Sequence, residues 1–364
     1  MGAESSRSPG AAVEALIARL RNGPLPVEDW MAACLGEYYA RGDVLGAGGD
    51  FITAPECTQI FGELLGLWSA VVWRSMGSPE RINLVELGPG RGTLMADALR
   101  ALAPVPEFRR ALSVHLVETS PGLRARQKQK LRAGGVTVFW HERLDTVPPG
   151  PMIVLANEFL DALPIRQYLC HAEGWRERLV ALAGEGTALT FTQGPLLGGP
   201  PPLAQPAHLR ARVGEEIEVC PQAQAVVAQV AARLAAEGGA GLFLDYGPAH
   251  SAPGDSLQAL RRHRFAAVLE NPGAVDLTAH VDFQAMAQVA AAAGAAVDGI
   301  VQQGPFLQSL GLEARAGVLL ANAAVDQKRE IRFAVRRLID SSEMGTLFKV
   351  LGLRSPSMAR LPGF

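Results

Sequence analysis

The sequence predicts an α/β protein: a doubly wound, mostly parallel sheet with helices ahead of it and an inserted α+β segment. Three observations carry this expectation. From residue 82 onward, short apolar runs alternate with helical patterns, as they do where a parallel sheet is covered on both faces. One apolar run enters the glycine-rich turn Gly88-Pro89-Gly90-Arg91-Gly92, which opens directly into a helix. After Pro164 the alternation breaks off, and an apolar run at 241–246 resumes it.

Taken in order, residues 11–21 carry apolar positions at helical spacing and stop at Asn22-Gly23-Pro24. A second helix is expected over 26–36, with Pro26 in its first turn. Residues 41–55 are too glycine-rich for a helix and read as a loop. Residues 56–76 regain a helical pattern, with Phe61, Leu64, Leu65, Trp68 and Val72 on one face. Strands follow at 82–87, 114–117, 136–140 and 152–156, separated by helices at 93–102 and 121–132. Residues 166–192 read as short alternating strands, 194–206 as a Pro/Gly linker, 222–236 and 283–292 as helices, and 346–351 as a final antiparallel edge strand. The expected divisions are a helical region over 1–80, a first core part over 81–165, an insertion over 166–240, and a second core part over 241–364.

Composition narrows the class. The chain has 364 residues, 48% of them hydrophobic and 19% charged, enough for a packed core and unlike a disordered chain. Its formal net charge of −2 gives no general basic excess for nucleic acid or an anionic membrane. Cys34, Cys57, Cys170 and Cys220 show no metal-ligand or dithiol spacing, so no metal is expected. No apolar run is long enough for a membrane span, and residues 1–10 lack a secretory stretch. Thirty arginines against four lysines read as a GC-rich bacterial genome, and the expected location is the cytoplasm.

The glycine turn discriminates between ligands. Small residues let a backbone approach a ligand closely, and the helix start offers free N–H groups. A dinucleotide fingerprint would need glycine at position 93, which is Thr, and no phosphate loop of the GxxxxGK[ST] type occurs. Glu86 followed by Gly88, Pro89, Gly90 and Gly92 instead resembles motif I of class I S-adenosylmethionine methyltransferases, a Rossmann-like fold. Glu118 ends the next strand, where a carboxylate can accept both hydroxyls of a ribose. A ligand-free turn and an ordinary solvated glutamate are the competing readings. Trp140 and His141 stand where an adenine would stack, or else belong to the core.

After the fourth strand, Asn157, Glu158 and Asp161 present an amide and two acids within five residues, and Asp245 repeats the pattern after the later strand. Such acids suit a cationic acceptor, because a guanidinium keeps its proton and a carboxylate can hold it and localise its charge. Capping and salt bridging are the alternative for each acid. Asp50, Thr53 and Glu56 lie in a glycine-flanked loop entering a helix. His280, in a segment with Asp276 and Asp282, is a candidate general base or a packed structural histidine.

These segments together resemble the MidA-type family of S-adenosylmethionine-dependent methyltransferases, which includes the mitochondrial assembly factor that methylates an arginine on a core subunit of respiratory complex I. The matching pieces are GDFITAPE (49–56), QIFGELLGLW (59–68), LVELGPGRGTL (84–94), VHLVE (114–118), NEFLDALP (157–164), LDYG (244–247), DLTAHVDF (276–283) and GTLFKVL (345–351). The resemblance implies S-adenosylmethionine as cofactor, with Gly88, Gly90 and Gly92 around it and Glu118 on its ribose. It sets Asp50, Thr53 and Glu56 over the cofactor or acceptor pocket. It also implies a protein substrate, a complex I subunit in the eukaryotic members. The rivals are methylation of a small molecule or an amide, and a non-catalytic assembly factor that keeps the fold. Oligomeric state is not readable.

Overall fold

A computed structural model describes residues 10–40, 53–132, 134–184, 186, 188–261 and 264–364. Two helices, α1 (Ala11–Leu20) and α2 (Val27–Ala40), flank the two-residue strand β1 (Leu25–Pro26). The expected helix over 56–76 is divided into α3 (Ala54–Cys57) and α4 (Gln59–Ser75). The break falls at Thr58, whose backbone is extended and whose hydroxyl accepts from the Ile60 N–H, as an N-cap residue does.

The central sheet starts with β2 (Ile82–Leu87), then α5 (Thr93–Ala101), α6 (Pro106–Ala111), β3 (Leu112–Val117), α7 (Pro121–Leu131), β4 (Val138–His141) and β5 (Met152–Asn157). Helix α6 was not expected. It buries Phe108 in the core, which absorbs the Pro-rich stretch between β2 and β3. The chain then leaves the sheet for β6 (Arg166–His171), β7 (Gly174–Leu182), β8 (Leu189–Leu196) and β9 (Glu216–Val219), which form an antiparallel sheet with β1. It returns through α8 (Pro221–Glu237) to β10 (Gly239–Tyr246). Helix α8 packs Val227, Val230, Ala231 and Leu234 on the central sheet. The separate structure within the expected insertion of 166–240 therefore ends with β9, and α8 is a crossover helix of the core.

A three-stranded sheet of β11 (Gln258–Arg261), β12 (Arg264–Ala266) and β13 (Asp276–Thr278) follows. The rest is α9 (Phe283–Ala292), β14 (Ala296–Gln302), α10 (Gln303–Ser309), α11 (Leu312–Asn322), α12 (Val325–Ile339), α13 (Met344–Leu347) and β15 (Phe348–Arg354). The central order is β14-β15-β10-β5-β2-β3-β4. Its strands run parallel except β15, which is antiparallel to both neighbours. The last strand was expected at an edge. It lies one place in, because its apolar residues are buried on both faces while β14, interrupted by Asp298 and a bulge before Gly299, takes the edge.

Side-chain alternation divides the sheet's residues between two cores. Leu84, Val114, Leu116, Ile153, Leu155, Leu242 and Leu244 face Phe61, Leu65 and Trp68 of α4 and Leu94 and Leu99 of α5. Val85, Leu87, Val154, Ala156 and Phe243 face α8 and α9. Helix α4 lies backbone-to-backbone on α5. A Cβ at Gly66 would come within 2.7 Å of Ala98 Cα, and one at Gly62 within 2.8 Å of the Leu94 carbonyl oxygen. That contact fixes α5, and with it the glycine turn at the sheet's carboxyl edge. Helices α1 and α2 form a third core with β7 and β13 around Trp30, Met31, Val180 and Leu277.

Candidate functional site

Glu86, Glu118 and Asn157 stand at the carboxyl ends of three neighbouring parallel strands, where open α/β sheets bind ligands. The Gly88 N–H donates to the Val117 carbonyl at 3.1 Å, and the Gly92 N–H to the Pro89 carbonyl at 2.7 Å. Both glycines have left-handed backbone, φ +62° and +76°. At Gly88 a Cβ would also meet the Phe159 ring at 2.7 Å, so only glycine fits there.

Glu118 is buried and directed by its surroundings. Its Oε1 accepts from the Ser120 N–H at 2.8 Å and its Oε2 from Gln127 Nε2 at 3.3 Å. The same Gln127 nitrogen donates to the Gly90 carbonyl at 2.7 Å, which ties the strand-end acid to the glycine turn. Trp140 donates its indole N–H to Gln127 Oε1 at 2.9 Å. His141 Nε2 lies 2.9 Å from His115 Nδ1, and its Nδ1 lies 3.0 Å from the Thr146 hydroxyl. Neither ring lines the cavity. Trp140 is on the α7 side of the sheet, and residues 142–144, beyond the strand end, take the wall expected of it.

That cavity has a volume of about 920 Å³. Glu86, Gly88, Pro89, Gly90, Glu118, Asn157 and Glu158 line it together with Thr53 and Glu56. Gly92 caps α5 just behind the wall. Glu56 accepts from the Thr93 hydroxyl and lies 3.6 Å from the Arg91 guanidinium, which holds α3 against the glycine turn. Asp50 lies outside the described residues. Two walls were not anticipated: Ala32, Gly36 and Tyr39 of α2, and Gln222, Val226 and Gln229 of α8. The spacing of Ala32, Gly36 and Ala40 along one helical face was legible as a small-residue stripe, whereas the α8 wall needs the sheet topology.

Three polar atoms of the cavity lining are buried without a hydrogen-bond partner among the described residues: Glu86 Oε2, Asn157 Oδ1 and Glu158 Oε2. Burial, with Glu118 beside it, pushes the Glu86 carboxyl up to about 8. Burial likewise pushes Glu158 up to about 8, against the Ala54 N–H that donates to its Oε1 at 2.7 Å. Asn157 Nδ2 donates to the same oxygen at 3.0 Å. Glu158 has φ +47°, a strained conformation for a residue with a side chain, and such strain collects at functional sites.

The other expected acids turn away from the cavity. Asp245 Oδ2 accepts from the N–H groups of Phe159, Leu160 and Asp161 at 3.1, 2.9 and 3.2 Å, and its Oδ1 from the Tyr246 N–H at 3.0 Å. It shapes the turn instead of facing a ligand. Asp161 is buried behind the same turn; burial pushes it up to about 7, while a hydrogen bond from the Tyr246 hydroxyl pulls it back. His280 donates its backbone N–H to the Ser256 hydroxyl at 2.8 Å and sets its ring edge-on to Tyr246, outside the cavity. No group of three metal-binding side chains occurs among the described residues. No helix among them is long and apolar enough to cross a membrane.

Residues 64–301 match the model of a family described as S-adenosyl-L-methionine-dependent methyltransferases. The chain belongs to this family. It is 37% identical to the protein arginine methyltransferase NDUFAF7 homolog, mitochondrial, of Drosophila melanogaster, over 92% of this chain and 82% of the relative. It is 34% identical to protein arginine methyltransferase NDUFAF7, mitochondrial, of Homo sapiens, over 91% and 80%. A solved structure from Burkholderia thailandensis bound to S-adenosyl-homocysteine superposes with a TM-score of 0.84 at 29% identity, covering 98% of this chain and 97% of that one. A second structure from that organism gives 0.81 at 31% identity, with the same coverage.

The methyltransferase has the class I, Rossmann-like fold and takes S-adenosylmethionine as its methyl donor. The cavity suits that molecule. It is of the size that takes a small ligand, has a backbone-open glycine turn, and carries unpartnered polar atoms of Glu86 and Asn157 on its wall.

Proposed function

We propose that the methyltransferase modifies an arginine side chain of a protein, and that Glu158 binds the guanidinium. The carrying observation is Glu158 itself: left-handed backbone, one oxygen held by Ala54 and Asn157, the other buried, unpaired and on the cavity wall. The names of the relatives support the acceptor class, since both are called protein arginine methyltransferases. A respiratory complex I subunit is the first protein to test, on the family resemblance.

The cofactor, when bound, supplies an electrophilic methyl group on a sulfonium. Glu118 and Gly88–Gly90 would hold its nucleoside end, and Glu86 and Asn157, with unpartnered polar atoms on the cavity wall, would meet its polar groups. Glu158 is mostly protonated near neutral pH in the free protein because its charge is desolvated. An arriving guanidinium supplies the missing donors, so the carboxyl gives up its proton and the ion pair forms inside the site. Guanidinium charge then concentrates on the nitrogens that face Glu158, which leaves the remaining nitrogen the better nucleophile. Positioning and electrostatics carry the reaction.

The test incubates the protein and radiolabelled S-adenosylmethionine with extract from a strain lacking its gene, followed by amino-acid analysis of the labelled protein. Label in methylarginine, lost in Glu158→Gln while cofactor binding persists, is the expected result. Label in methylglutamine or in a small molecule refutes the arginine assignment.

A further inference from the structure

We propose that Gln229 of α8 reads the 6-amino edge of the cofactor's adenine. Helix α8 presents one stripe to the cavity, Gln222, Ala225, Val226 and Gln229, spaced three and four apart as residues on one helical face are. From Gln222 to Gln229 the stripe reaches about 10 Å, and its two ends stand at different parts of the cavity. At the start of α8, the Cys220 thiol donates to the Leu163 and Pro164 carbonyls at 3.6 and 3.3 Å, in the loop after β5. One turn after Gln229, the Arg233 guanidinium donates to the Leu144 and Val147 carbonyls at 3.3 and 3.2 Å, in the loop after β4. Gln229 therefore stands beside the wall made by residues 142–144.

That wall adjoins Glu118, whose backbone N–H donates to the His141 carbonyl at 2.9 Å. A ribose anchored through its hydroxyls at Glu118, with its sulfonium end toward Glu158, has its base on the remaining side, toward residues 142–144 and Gln229. This direction rests on the acceptor lying at Glu158; the position of Gln229 and the state of its amide do not. Leu144 and Val226 pack in one apolar cluster and offer the apolar surface that the faces of a planar base need.

Chemistry selects Gln229 from the polar side chains at this end. Adenine sets an N–H donor beside a ring-nitrogen acceptor, and a single side-chain amide answers both, as Gln does with adenine in a DNA groove. The Gln229 amide is half-buried on the cavity wall and makes no hydrogen bond among the described residues. Its neighbours lack one half of the match or are already engaged. A Glu142 carboxylate has no donor and lies 3.8 Å from the Arg124 guanidinium. Arg143 has no acceptor and donates to Asp145 at 3.1 Å. The Ser120 hydroxyl donates to the Tyr39 carbonyl at 3.1 Å.

The experiment is a calorimetric titration of the full chain with S-adenosylhomocysteine and with its analogue that carries unsubstituted purine in place of adenine. Wild type should bind the adenine compound about tenfold more tightly than the purine compound. Gln229→Leu should bind the adenine compound about tenfold more weakly than wild type does and hold the two compounds within about twofold of each other. Gln229→Ala should do the same, and unchanged melting temperatures separate a lost contact from misfolding. Glu118→Gln should weaken both compounds alike and keep their ratio, because they share the ribose. A wild type that does not distinguish the compounds, a Gln229→Leu protein that keeps the tenfold preference, or a Glu118→Gln protein with wild-type affinity would overturn the proposal. Methyl transfer is not read, so a failure here and a failure of the methylarginine test are distinguishable.

Discussion

Replacing Glu158 by Gln should stabilise the cofactor-free protein at neutral pH while abolishing methyl transfer. Glu158 titrates near 8 in the fold against 4.5 ordinarily. Its folded pKa is raised, so the stability it contributes is fully present below 4.5 and is lost as pH rises through 8. Between 4.5 and pH 7 that loss is about 3 kcal/mol, at roughly 1.4 kcal/mol per pH unit. Gln has the shape of the protonated acid: its oxygen can still accept from the Ala54 N–H and from Asn157, and it never ionises. Thermal denaturation of both proteins from pH 4.5 to 8.5 provides the assay. Coincident melting temperatures at the acid end should separate by several degrees at pH 8, with the variant the higher. A variant that melts lower at pH 8, or by a constant amount at every pH, would show that Glu158 is ionised and satisfied in the free protein. The reasoning about the acceptor site would then fail.

Free-enzyme titration of Glu158 should also appear in kinetics: kcat/KM for a cationic acceptor rises with pH and levels off above about 8, measured by initial rates. Gly88→Ala places a Cβ 2.7 Å from the Phe159 ring at a left-handed position, and calorimetry should find cofactor binding lost in a protein that still melts cooperatively. Gln127→Ala frees Glu118 and the Gly90 carbonyl from one another and should weaken cofactor binding about tenfold, whereas Trp140→Phe should change it only a few-fold. Gly66→Val drives a branched side chain into the Ala98 backbone and should cost about 3 kcal/mol or more in denaturant unfolding.

How much of this was legible varies with what each residue contacts. Strand β2 was readable to the residue and α9 likewise, because a fully buried parallel strand and an amphipathic helix write their periods into the sequence. Strand β14 was not, since Asp298 and Gly299 interrupt its apolar pattern; the structure buries Asp298 against Arg354 and the Leu361 N–H. Helices α10 to α12 were not assigned either. At the site, the glycine turn, Glu118 and Glu158 were visible from the positions of strand ends. What could not be read is where a strand-end side chain points. Asp245 and Trp140 both end strands beside the cavity, yet Asp245 turns to the backbone of the neighbouring loop and Trp140 to Gln127. Parity along the strand and the path of the next loop decide that, and both belong to the fold.

The two acids after β5 and β10 are best understood as a pair with divided tasks. A residue with a side chain stays at φ +47° only where its surroundings hold it there. Asp245 does this by taking the next three N–H groups, of Phe159, Leu160 and Asp161, onto one oxygen. Those donors would otherwise be free to rotate the turn and relax Glu158 into an ordinary conformation, which would swing its carboxyl off the cavity wall. If Glu158 binds the acceptor as proposed, Asp245 would bear on the reaction from behind the cavity wall, through the backbone geometry of this turn. The sequence placed both residues in one catalytic ring. The structure makes one of them the wall and the other the brace that keeps the wall strained.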